Sequence, residues 1–213
     1  MASEAFEKFR QSMSIGYAEW HDGIGYDLDA ISALPPEERL RAEDLVVNRR
    51  VADWRDIEAL DHFGSDRALA EMAKAMRAKS LDVRIEAAQR LARRGALKES
   101  EIEQVIVKAL DEATILNGMV KTLRFATASP TPAVLGKLLW CTLHGNDDLR
   151  VHAAALVHYL HGGSSSDFDW AFRPFYLQFE SKDRRVRSAA YLDLCARIGV
   201  KPPAVIGLCR SIR

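Results

Sequence analysis

The sequence predicts an all-α protein, a right-handed solenoid of stacked antiparallel helix pairs with an irregular N-terminal helical cap. Three observations carry this expectation. Apolar residues recur at three- and four-residue steps along most of the chain, short breaks bearing Gly or Pro divide those stretches, and no alternating apolar and polar run flanks an Asn-Gly or Asp-Gly turn. Asp22-Gly23, the nearest approach to a hairpin signal, lacks strand-like flanks. The division expected is a cap over residues 1–50, integrated with a helical-repeat domain over 51–213.

Taken in order, Phe6, Phe9, Met13 and Tyr17 mark a first amphipathic helix, and Gly23 and Gly25 mark a bend after it. Pro35 and Pro36 break the chain; Pro36 can open the next helix, with Glu37 and Glu38 where negative charge meets unpaired amides. That helix places Leu40, Leu45 and Val46 inward. A short helix over 53–63 follows, with Trp54 in a seam between Leu45 and Ile57 and with Arg55 and Asp56 more exposed. Gly64 and Ser65 join it to a helix over 66–76, for which Asp66 is an alternative cap. Val83, Ala87, Leu91 and Ala92 share one side of a helix that Gly95 ends. Further helices are expected over 100–112, 115–127, 131–144, 148–161, 168–179, 184–197 and 202–211. Pro174 would kink the fifth of these or start it anew, and Trp140 reads as core.

Composition narrows the class. A chain with 48% hydrophobic and 28% charged residues is globular in balance. Lys plus Arg equals Asp plus Glu at 30 each, so the chain as a whole exerts no net pull on nucleic acid or an anionic membrane. No run reaches the roughly 18–20 apolar residues that span a bilayer, and the opening MASEAFEKFR carries charge where a secretory signal would be apolar. A cytoplasmic protein is the expectation. Cys141, Cys195 and Cys209 are odd in number and widely spaced, which reads as buried reduced thiols.

The strings DVRIEAAQRLA, DLRVHAAALVHYL and RVRSAAYLDLCA have one form: a polar opening, an aliphatic residue, an arginine, and small residues a turn later. Arg84 and Arg150 lie 66 residues apart, twice a period of 33, and Arg187 follows 37 later. Alanines at Ala87, Ala88, Ala153, Ala154, Ala189 and Ala190 allow close helix approach. Asp82, Val83, Arg84, Ala87 and Ala88, repeated at Asp148, Leu149, Arg150, Ala153 and Ala154, resemble HEAT repeats of the short bacterial type seen in phycobilin-lyase-like proteins. Arg185 replaces the acidic opener in the last copy. The resemblance covers about 54–200 and implies a structural ladder in which Asp82 with Arg84 and Asp148 with Arg150 support the turns.

Candidate chemistry is sparse. His158 and His161 share a helical face, and Asp167 and Asp169 are the nearby carboxylates that could complete a metal site, but polar-face or helix-end histidines are the simpler reading. His21-Asp22 has no nucleophile pattern beside it, and no phosphate loop exists. No catalytic residue, cofactor or metal is expected. Glu19, Asp22, Asp27 and Asp29 could form an acidic patch. Arg90, Arg93, Arg94 and Lys98 complement a helix C-terminus, whereas Arg184 and Arg185 sit near an N-terminus, where the dipole offers cations nothing. The partner-binding candidates are therefore Tyr17, Trp20, Asp22, Tyr26, Asp27, Arg55, Arg184 and Arg185, aromatic and charged types that dominate interface energetics.

The function expected is stoichiometric recognition of another protein by a non-catalytic, monomeric scaffold, an adaptor or an inhibitor such as a bacterial toxin-neutralising protein. The alternative is a HEAT-like nucleic-acid-binding protein or DNA glycosylase.

Overall fold

The computed structural model describes residues 2–14, 16–49 and 51–202, with the Trp20 side chain excluded. Cys209 and nearly all of the helix expected over 202–211 lie outside the described residues. Among those described the protein is helical with no strand; its β features are isolated bridges from Thr114 to Asn117 and to Gly118. No described helix is long and apolar enough to cross a membrane. The chain forms two compact units, Met1–Ile102 and Glu103–Arg213.

In the first unit, α1 (Glu4–Ser12) is capped by the Ser3 side chain, which accepts from the Phe6 amide. It ends before Tyr17, which opens a separate short α2 (Tyr17–His21), so the expected first helix is two. Asp27 caps α3 (Leu28–Ser32) through the Ala30 amide. Pro36 occupies the first position of α4 (Pro36–Asn48), whose free amide would have been unsatisfied in any case. Next come α5 (Trp54–Phe63), α6 (Asp66–Ala75) and α7 (Leu81–Arg93). Gly64 closes α5 at φ 64°, a left-handed conformation that a Cβ would strain, and Ser65, not Asp66, caps α6.

One apolar cluster holds this unit together. Phe6, Phe9, Ile31, Ala42 and Val46 share it with Ile57, Leu60, Phe63, Met72, Val83 and Leu91, so residues 1–50 and 51–91 bury their apolar faces in each other. Phe9 meets Tyr26 and Phe63 edge-on at 6.2 and 6.1 Å. Leu40, expected inward, is exposed, because the buried stripe of α4 runs through Ala42, Glu43 and Val46. Buried Glu43 accepts the Ser65 hydroxyl at 2.5 Å. Arg90 and Arg94 do more than complement a dipole. Arg90 reaches Glu58 at 2.9 Å, Asp61 at 2.9 Å and Glu86 at 2.7 Å, and Arg94 also holds Asp61. Burial opposes ionisation of Asp61, but the Arg94 and Arg90 guanidiniums outweigh it and hold its pKa below the usual carboxylate value.

The second unit follows from α8 (Glu99–Glu112), which crosses the boundary between units, to α9 (Met119–Ala128), α10 (Pro132–His144) and α11 (Asp147–Leu160). The helix expected from residue 115 starts only at Met119. Gly118 takes φ 68° after a tight turn in which the Thr114 and Asn117 backbones bond reciprocally, leaving Leu116 93% exposed. Thr131 and Asn146 cap α10 and α11. The expected helix over 168–179 is a series of short turns, 3-10 at Trp170–Phe172, α12 (Arg173–Tyr176) and 3-10 at Leu177–Glu180, with Pro174 in the first turn of the middle piece. Asp183 then caps α13 (Arg184–Arg197).

Helices α10 and α11 pack on each other, and α11 also packs on α9 and on the short turns. The inner face of α11 is small where it must be close: Ala153, Ala154 and Ala155 are fully buried. Trp140, expected in the core, is 46% exposed, because the stripe of α10 runs through Val134, Leu138 and Cys141 and leaves residue 140 off it. Buried Arg150 donates to the Phe179 carbonyl at 2.8 Å, to the Gly145 carbonyl at 2.8 Å and to Asp147 at 2.5 Å. Its carboxylate partner is thus Asp147, whereas Asp148, the expected one, is exposed. In the first unit Asp82 lies in the opening turn of α7, with Arg84 half-buried on the same helix.

Candidate binding cleft in the N-terminal unit

Where α1 and α4 end and α5 begins, the chain leaves a cleft of about 350 Å³, lined by Met13, Gly16, Tyr17, Tyr26, Arg49, Asp53 and Arg55. The volume is at the small end of the roughly 300–1,000 Å³ typical of ligand sites. Three of the sequence candidates, Tyr17, Tyr26 and Arg55, meet here.

The walls are fixed by the start of α5. Asp53 caps the helix, and Asp56 reaches back in a capping box, its Oδ2 accepting the Ala52 and Asp53 amides at 2.8 and 3.2 Å. The other oxygen of Asp56 accepts the Tyr26 hydroxyl at 2.9 Å. Burial, and then the adjacent carboxylate, push the Tyr26 phenol well above its ordinary pKa, so it stays neutral. Asp56 is therefore saturated by local donors.

Arg55 corrects the expectation of exposure most sharply. It is only 1% exposed, its Nε donates to the Ile24 carbonyl at 2.6 Å, and its Nη1 pairs with Asp53 at 2.9 Å. The guanidinium lies within 4.8 Å of the Trp54 ring centroid. It pins the 22–26 loop to the first turn of α5, and Asp56, also expected outside, is buried beside it.

Tyr17 is 79% exposed at the rim, tilted toward His21 with ring centroids 6.1 Å apart. Asp22 is exposed, and its carboxylate accepts from the His21 ring Nδ1 at 3.1 Å. Asp27 is committed to structure: its carboxylate caps α3 and its amide donates to the Ser12 hydroxyl at 2.9 Å. Glu19 accepts the Gly16 amide at 3.0 Å, so the expected acidic patch is partly spent on backbone donors. Trp20 lies outside the described side chains.

Sequence reasoning missed Arg49, Asp53, Met13 and Gly16. Arg49 caps α4 and its Nη1 donates to the Met13 carbonyl at 3.0 Å, joining the ends of two helices. The available signal was its position between a helix end and the Asp53 cap, in a loop, where binding groups are commonly found.

In the second unit Arg184 and Arg185 are exposed and form no ion pair among the described residues; neighbouring Lys182 is bound to Asp147. Trp170, 74% exposed, lies under the Arg173 guanidinium, 5.5 Å from the ring centroid. The histidines do not converge. His158 is buried, its Nδ1 2.9 Å from the Tyr176 hydroxyl, while the His161 ring bonds the Val157 carbonyl at 2.8 Å. No group of three or more metal-ligating side chains exists among the described residues. Cys141 and Cys195 are buried free thiols, and burial pushes Cys141 up to about 11.

No known protein family, curated protein or solved structure matches the chain.

Proposed function

We propose that this chain is a non-catalytic helical-repeat scaffold that binds another protein one-to-one through its N-terminal unit and needs no cofactor. The repeated Asp-Val-Arg and Asp-Leu-Arg segments support a right-handed solenoid of HEAT kind, in which the N-terminal unit carries the specialised surface. The cleft is the observation that carries the reading: an exposed tyrosine stands at the rim of a concave, partly polar pocket whose walls are held by buried hydrogen bonds. Aromatic residues and arginine at a preformed pocket are the types that concentrate interface energy. A cytoplasmic inhibitor, such as a toxin-neutralising protein, is the form that fits best.

The test is affinity capture from native cells at low and moderate salt, comparing the wild type with Tyr17→Ala. One stoichiometric protein, retained at moderate salt and lost in the variant, is the expected result. A capture unchanged by Tyr17→Ala would remove the cleft from the interface. A second reading, nucleic-acid binding, draws on the second unit, where residues 103–213 hold 14 Lys and Arg against 10 Asp and Glu. Salt-sensitive nucleic acid without a protein would put that reading first.

A further inference from the structure

We propose that the cleft is a carboxylate-binding site, in which the Arg49 guanidinium takes an Asp or Glu side chain, or a chain-terminal carboxylate, from the partner protein. The inference rests on the reading of the N-terminal unit as a protein-binding surface and names the chemistry that surface recognises.

The argument is one of donors left over. Among the described residues two cations line the cleft, and one of them is neutralised by a described carboxylate. Arg55 is paired with Asp53 and buried, so it has no charge to offer a ligand. Arg49 is exposed, forms no ion pair among the described residues, and bonds them only through Nη1, to the Met13 carbonyl. That bond anchors the guanidinium at Nη1, while Nε and Nη2 have no partner among the described residues. Two parallel N–H groups on one edge match the two oxygens of a carboxylate, the geometry that makes Arg the preferred partner for such groups.

The cleft's other groups select against alternatives. Asp56 keeps its negative charge but turns both oxygens to Tyr26 and two backbone amides, whose dipoles oppose that charge, and Tyr26 remains a neutral phenol. Asp53 is paired with Arg55 yet keeps 41% of its side chain exposed, which leaves residual negative potential. A singly charged carboxylate tolerates that neighbour better than a phosphate dianion does. Tyr17 at the rim supplies a flat apolar surface for the residue that carries the carboxylate.

The experiment is a titration of isotopically labelled full-length protein, followed by NMR at the Arg49 Nε–H and the Gly16 and Asp53 amides. The probes are acetyl-glycyl-glutamyl-glycinamide, acetyl-triglycine and inorganic phosphate. Saturable shifts confined to the cleft are expected with a carboxylate peptide, and the first two probes separate a side-chain source from a chain terminus. Arg49→Gln should weaken binding at least about tenfold, in line with loss of a charge-assisted bidentate pair. Arg49→Lys, which keeps the charge without the fork, should fall between, and it serves if the glutamine variant misfolds. Arg77→Gln, an equal loss of charge at an exposed site outside the cleft lining, should bind within about twofold of wild type. Unsaturable shifts spread over the exposed arginines, wild-type affinity in Arg49→Gln, or tighter binding of phosphate than of either peptide would each overturn the proposal. Carboxylate binding with no captured protein keeps the site and removes the protein-partner reading; capture lost in Tyr17→Ala but intact in Arg49→Gln does the reverse.

Discussion

Arg150 donates to two main-chain carbonyls and one carboxylate from a buried position, so its removal leaves three acceptors short of a donor. Breaking such a buried charged network costs roughly 3 kcal/mol. Arg150→Ala should therefore lower the denaturation midpoint in urea strongly, whereas Asp148→Ala, at an exposed position, should change stability by less than about 0.5 kcal/mol. An equal loss in both would restore Asp148 as the supporting partner. His158 gives a second prediction. Burial, and then the nearby Arg197 charge, lower its pKa, and burial lowers that of His152 as well. The native state therefore takes up protons less readily than the unfolded chain, whose histidines titrate near pH 6.5. The contribution of both residues is fully present above about pH 6.5 and is lost as pH falls toward their depressed native values. Thermal unfolding should show a falling midpoint from pH 7.5 to 5.5, and His152→Gln with His158→Gln should flatten that slope. Gly163 belongs to the same environment: a Cβ there would lie 2.2 Å from His158 Cδ2, so Gly163→Ala should destabilise by about 2 kcal/mol through overpacking, measurable in the same urea titration.

At the scale of elements, most helices were legible because their signals are local. Pro36 at the first position of α4 and Gly64 closing α5 act within a turn of where they stand in the chain. Asp53→Ala would remove the α5 cap and the ion pair with Arg55 together, and it should cost about 1–2 kcal/mol in chemical denaturation. The misplaced elements have a common cause. Ile115 and Leu116 extend a helical pattern in composition, but a turn closed by reciprocal backbone bonds and a left-handed Gly118 starts α9 later. The aromatic run after Asp167 has helical spacing, yet its rings pack around His158 in short turns, Phe172 edge-on at 4.8 Å and Phe175 at 6.4 Å. Tertiary packing of large rings overrode the periodicity there. The cleft was half legible for a similar reason. Tyr17 and Tyr26 stand out by type, but which arginine is buried depends on contacts across the fold: Arg55 turns inward to the Ile24 carbonyl, and Arg49, beside a helix end, keeps the exposed charge.

At the scale of the molecule, a net charge of zero conceals a division. Residues 1–102 carry 16 Lys and Arg against 20 Asp and Glu, and residues 103–213 reverse the sign with 14 against 10. A neutral chain with a sequence pI of about 7.0 has little net repulsion between copies near neutral pH. Opposite units on different copies then attract, and that attraction depends on ionic strength. With a screening length of about 30 Å at 0.01 M salt and about 8 Å at 0.15 M, the interaction spans much of a unit only in the first condition. Sedimentation velocity should therefore show reversible, concentration-dependent association at about 0.01 M salt and a monomer at about 0.15 M and above. Exposed apolar groups such as Leu116 and Trp170 supply the competing cause, and burial of their surfaces strengthens as kosmotropic salt is added. Association that grows in sulfate would assign self-contact to those groups; association that vanishes with modest sodium chloride assigns it to the charge division, which leaves the N-terminal cleft free for a partner under cellular salt.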